Sequence, residues 1–246
     1  MYRAPAGSWR RLGRFFLLEF PRLYRAAAPF ILTATLLFAL PAMAAYLVVL
    51  ASPPTAEQLL PPRLTRTVRE GRLWTQISPE ERSLASSTIM TNNLQVAILA
   101  FAGGILLGTL SVYVLVSNGL LLGAVFGYTQ AHGLATDLAA FVSPHGYVEL
   151  SVVFIAGGAG LQMAWALLSP GLLGRRDALA LAARRAVLLL VGAAPLLVIA
   201  GLIEGFVSPS DLPRELKLLL GPLTALALYA FLLRRPPSAV TVARAP

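Results

Sequence analysis

Residues 144–169 read PHGYVELSVVFIAGGAGLQMAWALLS, and this run decides what kind of protein the chain is. From Leu150 to Leu168 it carries no charge. At about 1.5 Å per residue, a helix of that length covers close to the ~30 Å hydrocarbon core of a bilayer. His145 and Glu149 stand just ahead of it, spaced to share one helix face. Val153, Gly157 and Gly160 continue that face. A carboxylate above a glycine-lined stripe points at another helix, because bare lipid would leave its charge unsolvated.

The same character extends over the whole chain. Of its 246 residues, 57% are hydrophobic and only 13% are charged, which is too apolar for an ordinary soluble domain. Several charge-free runs approach the length of a membrane span. The expected fold is all-α: a polytopic membrane helical bundle of about six transmembrane helices. The net charge is +9, yet Lys217 is the only lysine. In a membrane protein such an excess reports orientation and lipid contact, so no nucleic-acid partner is expected. The chain has no cysteine, which excludes disulfides, thiolate metal sites and cysteine nucleophiles.

Residues 1–25 interleave Arg10, Arg11, Arg14 and Arg22 with Leu12, Phe15 and Phe16, as a basic amphipathic helix on a membrane surface does, here interrupted at Pro21, with a solvated start of the first span as the alternative. The expected membrane domain covers 26–233, and the tail 234–246 is expected to be disordered. The first span is expected over Pro29–Leu50. Ala42-Met43-Ala44 is similar to a signal-peptidase site, but the apolar run is long enough for an uncleaved anchor. Residues 52–92 form the only long hydrophilic loop, in which short surface helices are expected, with Trp74 as an interfacial anchor. Ser78-Pro79-Glu80-Glu81 reads as a helix start.

The second span is expected over Leu94–Val116, with a tight turn at Ser117-Asn118-Gly119. The third follows, with Gly119, Gly123 and Gly127 on one stripe, and is interrupted at His132-Gly133. Spans four to six are expected over Tyr147–Leu168, Ala186–Val207 and Glu215–Leu233. Residues 169–185 would be a basic loop. Six spans place both termini on one side, with thirteen of the twenty basic residues. The positive-inside rule makes that side the cytoplasm, N-in and C-in. A weak internal repeat sets Ala102-Gly103-Gly104 and Ser117–Leu121 against Ala156-Gly157-Gly158 and Ser169–Leu173.

This topology gathers Asn92, Asn93, His145, Glu149 and Glu204 near the outer ends of spans two, four and five. Carboxylates in membrane helices cost about 2.5–3.5 kcal/mol on insertion scales, so two at one depth ask for a reason. Glu149 and Glu204 are expected to approach each other or share partners, and at low dielectric both cannot stay charged uncompensated. Gly201 and Gly205 flank Glu204 and allow a neighbouring helix to come close.

At these residues the chain resembles the stage II sporulation protein M family of bacterial membrane proteins. The matching pieces are Asn92-Asn93, Asn118-Gly119 with Gly123, Pro144-His145-Gly146 with Glu149, and Glu204-Gly205-Phe206 with Pro209. The resemblance covers roughly residues 25–233. It implies a multi-pass protein of the bacterial cytoplasmic (inner) membrane. It also implies a scaffold that organises cell-wall hydrolases without cutting the wall itself.

Three functional classes follow. A scaffold with protein partners in the cell envelope fits the resemblance, and needs membrane lipid but no cofactor. A small transporter or channel fits the broken helices and buried carboxylates. An intramembrane metal-dependent hydrolase would use His145 and Glu149, four residues apart, with His132, Glu204 or Asp137 completing the shell. The bland alternative has His145 capping a helix start while Glu149 accepts hydrogen bonds. Asn92 and Asn93 would likewise cap span two. The chain shows no HExxH, GxSxG or Walker pattern, so no enzyme activity is expected. The Gly119, Gly123 and Gly127 stripe reads as internal packing, with a homo-oligomer interface as the alternative.

Overall fold

The computed structural model describes residues 8–75 and 82–235. The basic amphipathic segment is helical. α1 (Ser8–Arg14) passes through a π-helical stretch, Phe15–Glu19, into α2 (Phe20–Ala26). Pro21 follows directly on the π-helical stretch, and the chain stays helical through it, so it does not interrupt the helix. Ala27 bends the chain into α3 (Ala28–Ala51), the first span. Beyond it a 3₁₀ turn, Pro53–Thr55, and the short helices α4 (Ala56–Leu59) and α5 (Pro62–Arg69) follow. They bury Ala56, Leu60 and Val68 against Val49 and Tyr128. The expected helix start at Ser78–Glu81 lies outside the described residues.

The remaining helices are α6 (Arg82–Ala102), α7 (Thr109–Ala131), α8 (Ala135–Leu168), α9 (Arg175–Phe206) and α10 (Arg214–Leu233). Among the described residues, α3, α7, α8, α9 and α10 are long and apolar enough to cross a membrane. Gly119, Gly123 and Gly127 of α7 meet Phe38, Ala42 and Tyr46 of α3 in that order, so these two helices run parallel. An odd number of crossings must therefore connect them, and α6 makes it, although its apolar part, Thr91–Leu106, is shorter. Phe154 packs on Phe38 and Gly158 on Ile31, which sets α8 antiparallel to α3. Ser143 meets Gly221 and Ser151 meets Tyr229, which sets α10 parallel to α8.

Both ends of the bundle chain therefore meet on one face. Arg25 donates to the carbonyls of Leu232 (3.1 Å) and Arg234 (2.5 Å), and Arg234 donates to Leu17. Arg10, Arg11, Arg14 and the start of α9 lie on this basic face; α4 and α5 lie on the far face. α8 is the central helix: 61% of its apolar window is buried, against 22% for α3 and 17% for α10.

Several sequence expectations need correction. The turn between spans two and three is not at Ser117–Gly119, which lies inside α7. It falls at residues 103–108, where a 3₁₀ turn ends in Leu107 (φ 55°) and Gly108 (φ 82°). Two successive left-handed residues reverse the chain there, and Ser111 Oγ locks it by donating to Ala100 O at 2.6 Å. The small residues at 117–119 serve packing instead. Asn118 donates to Val114 O at 2.8 Å, and Gly119 lies against the Phe38 carbonyl. The proposed repeat fails with that turn, since Ser117–Leu121 is helical while Ser169–Leu173 is a loop.

The second correction concerns span four. α7 ends at Gly133 (φ 75°), with Leu134 N donating to Thr129 O, and α8 begins at once at Ala135. Pro144 and His145 are inside α8, so His145 caps nothing. Third, Asn92 and Asn93 sit within α6 and cap nothing either. The supposed basic loop is also partly helical, because α9 starts at Arg175.

Candidate functional site

The polar residues singled out in the sequence come together, deeper than expected. Glu149 lies about 21 Å along α8 from its first residue. Since Phe154 packs on Phe38, Glu149 is level with α3 residues near Ala42, well inside the span rather than at the membrane surface. Asn93 of α6 donates through Nδ2 to Glu149 Oε2 at 2.7 Å. Gly104 of the same strand of chain packs on Gly160 of α8, so α6 and α8 run side by side and hold this bond in register.

α9 supplies the second carboxylate by stopping short. Pro209 disfavours continued helix at Ser208, and α9 ends at Phe206 while still inside the bundle. Glu204 is 2% exposed and Ser208 is 1% exposed. His145 Nδ1 lies 2.8 Å from Ser208 Oγ, which ties the end of α9 to α8. Non-helical backbone at this depth needs internal partners. Lys217 of α10 provides them, its Nζ donating to Ser208 O at 2.8 Å and Ser210 O at 2.5 Å. A cation also suits the negative end of a helix. Lys217→Met is expected to cost about 1–3 kcal/mol by leaving those carbonyls unpaired. Lys217→Arg should lose less. Thermal unfolding in detergent checks this, and a methionine variant melting like wild type would contradict it.

Glu204, His145, Asn92, Asn93 and Asn118 line one cavity of 310 Å³. It reaches from Trp74 and Thr75 on the far face to Phe38 and Val153. Asn118 is closer to the basic-face end of α7 than to its far end, so the cavity passes the middle of that helix. Below it the helices close on one another through Gly104, Gly160 and Ser111. Its walls are apolar and aromatic, including Phe126, Phe141 and Leu150. Glu204 Oε1 and Oε2 and Glu149 Oε1 are buried without a hydrogen-bond partner among the described residues.

Asn92 is exposed and contributes only to the rim. His132 and Asp137 do not join the group. His132 Nδ1 turns back to Tyr128 O at 2.8 Å, and Asp137 pairs with Arg214 at 2.7 Å. Among the described residues no three His, Asp or Glu are placed to share a metal ion. The packing glycines are where the stripes put them. Gly157 lies against Leu115 and Gly160 against Ala100 O; Gly201 is buried and Gly205 half-buried. Sequence reasoning missed Ser208, Lys217 and the cavity role of Asn118. An amide inside an apolar, glycine-spaced helix was the available signal for Asn118.

A family model described as Stage II sporulation protein M matches residues 34–209. No curated protein and no solved structure matches the chain significantly.

Proposed function

The chain belongs to the stage II sporulation protein M family, and from that premise we propose that this multi-pass membrane protein is a scaffold of the bacterial cytoplasmic membrane. It organises cell-envelope partners of the peptidoglycan-remodelling kind, and it engages them from the far face. The observation that carries this reading is the one-sided cavity. Its described lining offers recognition groups, namely the Glu204 carboxyl, the amides of Asn92, Asn93 and Asn118 and the His145 imidazole, with Glu149 joined to them through Asn93. Such a set can bind and orient a partner's polar groups. Partners recovered from native membranes and identified by mass spectrometry test the reading. Leu122→Trp, which fills the cavity from α7, is expected to lose them. Identical recovery from the variant and from wild type would contradict the proposal.

In this reading the basic face is cytoplasmic. Single cysteines near Glu57 and Ser210 are expected to react with an impermeant maleimide on intact cells or spheroplasts. Labelling at position 177 under those conditions would invert the assignment.

Transport is the second reading, favoured by the depth of the cavity, which passes the middle of α7. It requires the Gly104–Gly160 closure to open. Ser111→Cys would then label from the basic side; the scaffold reading expects that position to stay protected.

A further inference from the structure

The geometry points to the Glu204 side of the cavity as a binding site for an organic cation, an alkylammonium or alkylguanidinium group entering from the far face. The acidic pair alone would not carry this. Glu204 does, being 98% buried with both carboxylate oxygens unpartnered among the described residues and directed into the cavity. Glu149 does not line the cavity itself, but it is joined to the lining through Asn93 and keeps a further buried, unpartnered oxygen. A buried carboxylate without donors or counter-charge is costly; it either takes up a proton or accepts a positive, hydrogen-donating partner, and an occupying cation supplies that partner.

The described residues supply none of their own there. No lysine or arginine lines the cavity among the described residues. Lys217 is committed to the carbonyls of Ser208 and Ser210, and the imidazole Nδ1 of His145 to Ser208. The walls then choose the class of cation. A hard metal ion asks for about six or more oxygen ligands, whereas the described lining offers one carboxyl and three amides among Phe38, Phe126 and Phe141. Aromatic faces and an apolar shaft suit a charge carried on a hydrocarbon stem. A volume of 310 Å³, near the small end of ligand pockets, suits one such group.

Two sources share this chemistry: a basic side chain of an envelope partner, and a free amine. The first is favoured, and that choice rests on the scaffold reading. The full-length protein, purified in lipid nanodiscs, is titrated with n-butylguanidinium, n-butylammonium and the neutral n-pentanol, followed by calorimetry and by Tm. The cations are expected to bind saturably, at least about ten-fold more tightly than pentanol, and to raise Tm. Glu204→Gln is expected to lose at least about ten-fold in cation affinity. Leu122→Trp, which leaves both carboxyls in place, is expected to lose binding by occlusion and covers the case of an unfolded Glu204→Gln. Absence of saturable binding, equal affinity for pentanol, or undiminished binding in either folded variant would overturn the inference. Cation binding without any recovered partner would leave the inference standing with a free amine as source, and would count against the scaffold reading. Partner recovery without cation binding would do the reverse.

Discussion

Gly123→Leu is expected to abolish accumulation of folded protein. Gly123 packs on the backbone of α3, and a Cβ placed on it would overlap the carbonyl oxygen of Ala42. The neighbouring stripe positions leave no slack. A Cβ on Gly127 would lie 2.7 Å from Tyr46 O, and one on Gly119 would overlap Phe38 O. Backbone cannot turn aside as a flexible side chain can. Relief requires α3 and α7 to separate along their length, which also opens the Ala34, Leu115 and Val153 cluster beneath α8. Overpacking typically costs about 1–3 kcal/mol, and a backbone clash lies at or above the top of that range. Fluorescence-detected size-exclusion of the variant in detergent reads the outcome. A monodisperse peak with wild-type melting would show that the two helices are not packed as described.

The second large effect is expected at Asn93. Asn93→Leu removes the one donor that Glu149 has among the described residues, leaving a buried carboxylate with both oxygens unpaired. The expected loss is about 1–3 kcal/mol or more, because an abandoned buried acceptor costs its full desolvation. Glu149→Gln in the same chain should return much of that loss, since an unpaired amide is cheaper to bury than a carboxylate. Thermal unfolding of the two single variants and the double variant tests this as a cycle. Coupling of about 1 kcal/mol or more is expected; losses that add within about 0.5 kcal/mol would mean that the pair does not interact.

Much of the bundle was legible in the sequence because hydrocarbon demands long uncharged helices. α3 and α10 fall within a residue or two of the expected spans, and the shared face of the two ends follows from the crossing count. The glycine stripe was legible too, since spacing by four admits close approach only along one face. What misled was punctuation. In a soluble chain Ser117-Asn118-Gly119 reads as a turn, but here the amide bonds back to Val114 and the glycine seats α3. The true turn, at Leu107 and Gly108, hides in an apolar run because one left-handed leucine leaves no mark in hydropathy. Pro144 misled in the same way, since a proline that reads as a helix start is tolerated inside α8.

The candidate site was half legible. Asn93, His145, Glu149 and Glu204 do converge, as their spacing from the span ends implied. Their depth was not legible, because it depends on α8 beginning at Ala135 and on α9 stopping at Phe206. Nor was the role of Lys217, whose partners are backbone carbonyls that no residue pattern reveals.

The central claim is that Glu204, with Glu149 joined to the lining through Asn93, makes the deep, far-face cavity acidic. The natural absence of cysteine allows a direct measurement. A single cysteine at Asn118 is exposed from the far face to two methanethiosulfonate reagents of similar size, one trimethylammonium and one sulfonate. The account predicts that position 118 reacts, that the cationic reagent is faster by roughly ten-fold or more relative to a free thiol, and that Glu204→Gln erases most of the difference. A protected cysteine, or equal rates for the two reagents, would contradict it.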